Sequence, residues 1–146
     1  MSTEKVAHAI REALEAFSVG ADRDPEEALR RMEPLYDPGL TFQDPIQSFA
    51  GWNAFLEANR RIIARAQELR FSVAEVAWHL DQVFLTWTMT MRPKVGPTIR
   101  IDGVTHLKLR DGKIISHRDY WDLAGAVADA LPIVGPVYHA LMHRLG

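Results

Sequence analysis

Between Ile99 and Asp122 the chain reads I-R-I-D-G-V-T-H-L-K-L-R-D-G-K-I-I-S-H-R-D-Y-W-D, two runs about one turn signal, and few folds accommodate what that pattern buries. Apolar and polar residues alternate from Ile99 to Leu109, which is the period of a half-buried strand. Asp111-Gly112 then supplies a turn, and a second strand starts at Lys113. The turn type decides which residues share a face. A two-residue turn would pair Lys108 with Ile115 and mix charge with core. A three-residue loop, Arg110 to Gly112 with a left-handed Gly112 in a bulge, pairs Leu107 with Ile115, Thr105 with His117 and Gly103 with Asp119. It also sets Arg100 opposite Asp122 on the other face. The second register is preferred. Ile99, Ile101, Leu107, Leu109 and Ile115 then point inward, and His117, Asp119 and Trp121 point with them.

An inward carboxylate beside a tryptophan is costly unless it is paired or used. Gly103 directly opposite would leave room for a ligand or a water next to Asp119. Asp119 is therefore the leading candidate for chemistry, and His117 the second. Each also has a plainer reading, as a carboxylate bonded to a neighbouring loop and as a satisfied core histidine.

The rest of the chain frames that hairpin. Val6, Ile10, Leu14 and Phe17 recur at helical spacing behind Ser2 or Thr3, and Asp24-Pro25-Glu26-Glu27 starts a second, short helix that ends near Pro34. Asp37-Pro38-Gly39 reads as a turn and Leu40 to Asp44 as a short strand stopped by Pro45. A third helix carries Trp52, Phe55, Leu56, Ile62 and Ile63, with Arg60, Arg61 and Arg65 largely solvated. After Leu69 the period becomes that of strands: Arg70–His79, Val83–Met91, then the hairpin. Val83, Leu85, Trp87, Met89 and Met91 form a core face opposite a milder threonine face. Helices followed by antiparallel strands predict an α+β fold with three N-terminal helices packed on one side of a curved sheet.

With 146 residues, 47% of them hydrophobic and 25% charged, the chain is expected to be a single domain of residues 1–146. Residues 123–146 are read as a C-terminal helical extension. A net charge of −2 and a pI near 6.3 give no electrostatic footprint for nucleic acid or an anionic membrane. The absence of cysteine excludes disulfides and thiolate metal sites, and suits a reducing, cytoplasmic setting. The N-terminus leads into an amphipathic pattern and not an apolar leader. His139 and His143, four apart, have metal-ligand spacing but no nearby third ligand, so no metal is expected.

The order of elements, with L-Y-D-P-G-L-T-F-Q-D-P in the first half and D-G-K-I-I-S-H-R-D-Y-W-D-L near the end, resembles the nuclear transport factor 2-like superfamily, in its SnoaL-like and ketosteroid isomerase-like branch. The resemblance covers roughly Glu4 to Leu123. It implies a cone: a bent antiparallel sheet wrapped around three helices, with an apolar cavity between them. Ketosteroid isomerases carry a general base after the first strand, where Asp44 stands here; the handling of their paired carboxyls by environment is well described. Their two oxyanion donors correspond to Phe17, which cannot donate, and Thr105. Limonene-epoxide hydrolases end in a similar run, with Asp119 on one of their catalytic aspartates. Their other aspartate and an arginine lie on the preceding long strand, and Val83 to Met91 contains no charge. SnoaL-type polyketide cyclases use an aspartate on the last strand as general acid/base without metal or cofactor, and Asp119 matches it, with His117 as the pocket histidine.

Two functional classes stay open. One is a cofactor-independent isomerase or cyclase acting on a small, largely apolar, carbonyl-containing ligand, with Asp119, Asp44 and His117 as catalytic candidates. Trp121, Thr105, Trp87, Met89, Phe55 and Gly103 are then the candidate substrate contacts. The other is a non-catalytic ligand-binding or dimerisation module of the same fold. Thr86, Thr88, Thr90, Val104 and Tyr120 on the outer sheet face predict a homodimer through that face. The tail, with apolar points at Leu131, Ile133, Val137, Leu141 and Leu145 and breaks at Pro132 and Pro136, is expected to fold over the open end of the cone or onto a partner subunit.

Overall fold

Ser2 begins the first helix by accepting a hydrogen bond from the Lys5 amide, so α1 runs Thr3–Ala16 and buries Val6, Ala7, Ile10, Ala13 and Leu14 along one face. Asp24 caps α2 (Pro25–Met32) through the Glu26 amide, with Pro25 at the first helical position. A 3-10 turn, Glu33–Leu35, leads into β1 (Tyr36–Gln43), and β2 (Ser48–Ala50) folds back against it. Gly51, at φ +95°, turns the chain into α3 (Trp52–Arg65). Four long strands follow: β3 (Ala66–His79), β4 (Gln82–Pro93), β5 (Ile99–Arg110) and β6 (Lys113–Trp121). The chain then forms α4 (Leu123–Ala130) and α5 (Val134–Leu145). The computed structural model describes residues 1–20, 23–130 and 134–145.

Among the described residues six strands form one sheet in the order β2-β1-β6-β5-β4-β3, antiparallel except where β1 lies parallel to β6. The result is the expected α+β architecture. The core lies between α1–α3 and one face of the curved sheet, where Val83, Leu85 and Trp87 of β4 meet Ile10, Leu29 and Leu40. A bidentate pair from Arg60 to Glu26 ties α3 to α2.

The hairpin differs from expectation in register. Asp111 (φ +51°) and Gly112 (φ +75°) are both left-handed, so the loop is a tight two-residue turn between Arg110 and Lys113. A bulge then leaves Ile115 without a partner: Leu109 pairs with Ile114, and Lys108 with Ser116. The bulge, and not a longer loop, keeps charge out of the core. It sends Ile114 inward, fully buried, in place of the expected Ile115. Beyond it Leu107 pairs with His117, Thr105 with Asp119 and Gly103 with Trp121. Beyond the bulge the shift is two residues, so the faces of His117, Asp119 and Trp121 survive while their partners change. Arg100 therefore has no Asp122 opposite it and instead lies 3.8 Å from Asp102.

Two further expectations change. Asp37-Pro38-Gly39 does form a local turn, in which the Asp37 carboxylate accepts from the Gly39 amide, but it is an irregularity inside β1, which starts at Tyr36. In the tail, Leu131, Pro132 and Ile133 lie outside the described residues, and Pro136 sits in the first turn of α5 without breaking it. Ala126 and Asp129 of α4 flank a cleft shared with Thr98, Arg100 and Asp102. Arg100 and Asp102 of β5 alternate with the inward Ile101 and Thr105, so α4 lies on the sheet's outer side.

Candidate functional site

A cavity of about 460 Å³ opens between the helices and the concave face of the sheet. That volume is within the range of small-molecule sites. Phe17, Phe42, Phe55, Phe71, Trp87, Met89 and Trp121 belong to its apolar wall. Phe55 packs on Tyr36 at 5.0 Å and on His117 at 5.6 Å between ring centroids. Asp119 and Asp44 both line the cavity, as do Thr105 and His117.

Asp119 sits at the end of a directed chain of hydrogen bonds. Trp87 Nε1–H can only donate, and it donates to Thr105 Oγ1 at 2.8 Å. That leaves the Thr105 proton for Asp119 Oδ1, 2.6 Å away. His117 Nε2 meets the same Oδ1 at 2.8 Å, and its Nδ1 meets the Tyr36 hydroxyl at 2.8 Å. The Tyr36 hydroxyl is a donor whose sole partner among the described residues is that nitrogen. Nδ1 is therefore the acceptor and Nε2 carries the proton, a tautomer assigned from the network. Burial pushes the Tyr36 phenol well above its ordinary range, and the negative charge of Asp119 adds to it, so the hydroxyl stays protonated.

Both inner donors converge on Oδ1. The second carboxylate oxygen, Oδ2, receives no hydrogen bond among the described residues. No buried side-chain nitrogen or oxygen there lacks a partner, so Oδ2 is open to the cavity and not sealed in protein. The arrangement leaves one oriented carboxylate oxygen on the wall of an aromatic-lined cavity.

Several candidates take different roles from those expected. Gly103 makes room for protein and not for ligand: a Cβ there would come within 2.4 Å of the Trp87 ring, and the residue faces Trp121 across the strands. Thr105 stands opposite Asp119 and not His117, which is what allows its hydrogen bond. Asp44 reaches the cavity wall, but its carboxylate closes its own turn by accepting from the Ile46 and Gln47 amides and the Gln47 side chain. Phe17 lines the wall and packs on Phe71 at 5.9 Å. His139 pairs with Asp129 across α4 and α5. None of the described residues after Asp122 lines the cavity. The outer-side position of α4 accounts for this.

Tyr36 was missed. Asp37-Pro38-Gly39 marks a turn in sequence, which hid the strand start beside it. The available signal was an inward His117 whose second ring nitrogen needed a buried partner.

Comparison with known proteins agrees with this architecture. The description "SnoaL-like domain" matches residues 10–117. Among curated proteins no match was found. Similar solved structures include an NTF2-like protein of unknown function from Burkholderia pseudomallei, 16% identical, covering 90% of this chain and 99% of that one at a TM-score of 0.71. A hypothetical protein with a ketosteroid isomerase-like fold from Catenulispora acidiphila, in complex with trimethylamine, is 17% identical over 88% of this chain and 93% of its own, at 0.68. An LEH-like epoxide hydrolase of M. tuberculosis is 14% identical and covers 95% of each chain at 0.67. At such identities the likeness establishes the fold alone.

Proposed function

Since the chain belongs to the SnoaL-like domain family, whose fold hosts isomerases and cyclases, we propose that it is a cofactor-independent acid/base enzyme acting on a small, largely apolar carbonyl compound. The observation that carries this reading is that Asp119 lines an apolar cavity with its Oδ2 unbonded among the described residues, while Oδ1 is held by Thr105 and His117. Oδ2 removes the proton α to the carbonyl: the C–H bond breaks, its electron pair enters the carbonyl as an enolate, and the proton rests on Oδ2. Return of that proton at another carbon completes an isomerisation. Attack of the enolate carbon on a second carbonyl closes a ring: the new C–C bond forms as the C=O π bond breaks, and the resulting alkoxide takes the proton from Oδ2. Two donors fixed on Oδ1 hold the carboxylate in one orientation through both steps.

The same network narrows the substrate. Thr105 spends its proton on Asp119, and Trp87 spends its N–H on Thr105. Neither can serve an enolate oxygen, and Phe17 has no donor. A site with these inner donors engaged suits substrates whose enolates are already stabilised by conjugation.

The test is deuterium incorporation at the benzylic α-carbon of 2-tetralone in heavy water, followed by mass spectrometry. The protein accelerates exchange, and Asp119→Asn removes about 10²–10⁴-fold of that acceleration. Acceleration that persists in the Asn variant overturns the assignment. A second reading, ligand binding without catalysis, draws on the same engaged donors. It predicts tight tetralone binding with no exchange dependent on Asp119.

For assembly, we propose a homodimer through the outer sheet face. Phe84 of β4, Val104 of β5 and Tyr120 of β6 are exposed there, and Thr86, Thr88 and Thr90 follow Phe84 at alternate positions along β4.

A further inference from the structure

Arg61 and Arg65 stand four residues apart on α3, so they share one face of that helix. Both line the cavity and both are exposed. Ile46 is the one other exposed lining residue described, which places the two arginines at the mouth. Neither makes a side-chain ion pair or hydrogen bond among the described residues. Arg60 beside them does: it grips Glu26 with contacts of 3.0 and 2.9 Å. Neither carboxylate in the cavity wall is paired with Arg61 or Arg65: Asp44 closes its own turn, and Asp119 is held through Oδ1 by Thr105 and His117. Like charges four apart on a helix oppose its formation, and an anion between them relieves that repulsion.

We infer that Arg61 and Arg65 bind a carboxylate at the far end of the ligand, so that the substrate is an oxo acid with its carbonyl at Asp119 and its acid group at the mouth. Two planar guanidinium groups present paired N–H donors that match a carboxylate's two oxygens. An anionic Asp119 repels a second carboxylate, so the charged end of the ligand stays outward and the apolar body enters carbonyl first. That one-way entry fixes which carbon lies beside Oδ2, using binding remote from the reacting bond. The placing of the carbonyl rests on the acid/base reading of Asp119; the arginine site does not.

The test is binding, read by quenching of tryptophan fluorescence, of a homologous series of ω-benzoyl alkanoates and their methyl esters. At the best chain length the acid binds about tenfold more tightly than its ester. Shorter and longer acids lose the advantage, because carbonyl and carboxylate then no longer reach both ends of the cavity. Arg61→Gln with Arg65→Gln abolishes the preference for acids, whereas Arg60→Gln keeps it. Equal binding of acid and ester overturns the inference, as does a preference that survives in the double variant or is the same at every chain length. An ester whose exchange depends on Asp119, with no acid preference, defeats the arginine site alone. An acid held by the arginines whose exchange ignores Asp119→Asn defeats the acid/base reading alone.

Discussion

His117 and His106 lie on neighbouring strands, and the pleat sends them to opposite sides of one sheet. On the inner side His117 is fully engaged, with Tyr36 on one ring nitrogen and Asp119 on the other. On the outer side His106 meets Gln82 through Nε2 at 2.7 Å and stacks on Phe84 at 4.4 Å. Its surroundings are cationic, with Lys108 and Arg118 nearby. The inner partners come from β1 and from β6 itself, so that cluster exists only once the sheet has closed. The outer partner comes from the adjacent β4, and water reaches the pair. Enclosure, more than residue type, makes one histidine part of a buried hydrogen-bonded chain and leaves the other a surface contact.

The largest expected difference between the two sides is in activity. Asp119→Asn removes the inner base and about 10²–10⁴-fold of protein-dependent exchange. Arg118→Gln alters the neighbouring outward side chain, which lies 4.7 Å over the Tyr120 ring, and leaves exchange unchanged. Exchange assays on both variants break the comparison if Arg118→Gln is the more damaging.

Stability separates the sides next. Tyr36→Phe leaves His117 Nδ1 buried without its donor and costs about 1–3 kcal/mol in urea titrations. Gln82→Ala removes the corresponding partner of His106, where water substitutes, and costs within about 0.5 kcal/mol. Equal losses would mean that enclosure confers nothing. The tyrosine also predicts an alkaline limb. Its folded-state pKa lies above the unfolded value, so its contribution to stability is complete below the unfolded pKa of about 10 and is lost as pH rises beyond it. Tyr36→Phe flattens that limb.

What could be read from sequence follows the same division. Alternation through β4, β5 and β6 is local, so the faces of Trp87, Thr105, His117, Asp119 and Trp121 were legible. A register error of two residues preserves them. Pairing was not legible, because the bulge at Ile115 is decided by the tight turn and the core together. Tyr36 and His117 lie 81 positions apart, and no periodic signal links them. Gly103 signalled a space in the sheet, but not that it lies opposite Trp121 and is filled by the Trp87 ring. Arg61 and Arg65 read as solvated, which they are; their place at a cavity mouth depends on how α3 lies on the sheet.

Assembly would sharpen the contrast. A homodimer through the outward face would enclose Phe84 and Tyr120, and sedimentation at about micromolar protein should show it for a subunit contact of ordinary size. Tyr120→Lys is expected to shift the population toward monomer while Asp119-dependent exchange continues. A monomeric parent protein breaks the assembly proposal and leaves the inner site untouched.

The smallest expected effect belongs to His106 itself. Partial burial, then the charges of Lys108 and Arg118, hold its pKa below the ordinary histidine value. The unfolded chain therefore takes up a proton at higher pH than the folded one. Folding is unaffected well above the unfolded pKa of about 6.5 and weakens as pH falls through that value toward the folded one. Because the ring is partly solvated, the loss is slight in the monomer, and salt reduces it by screening the two cations. His106→Gln keeps a polar contact to Gln82 and removes the titration. Thermal melts between neutral and mildly acid pH should then show a slightly flatter acid limb for this variant than for the parent. A limb of the same slope would place the acid sensitivity elsewhere. A limb that steepens on dimerisation would show that the outer histidine acquires the enclosure its inner neighbour already has.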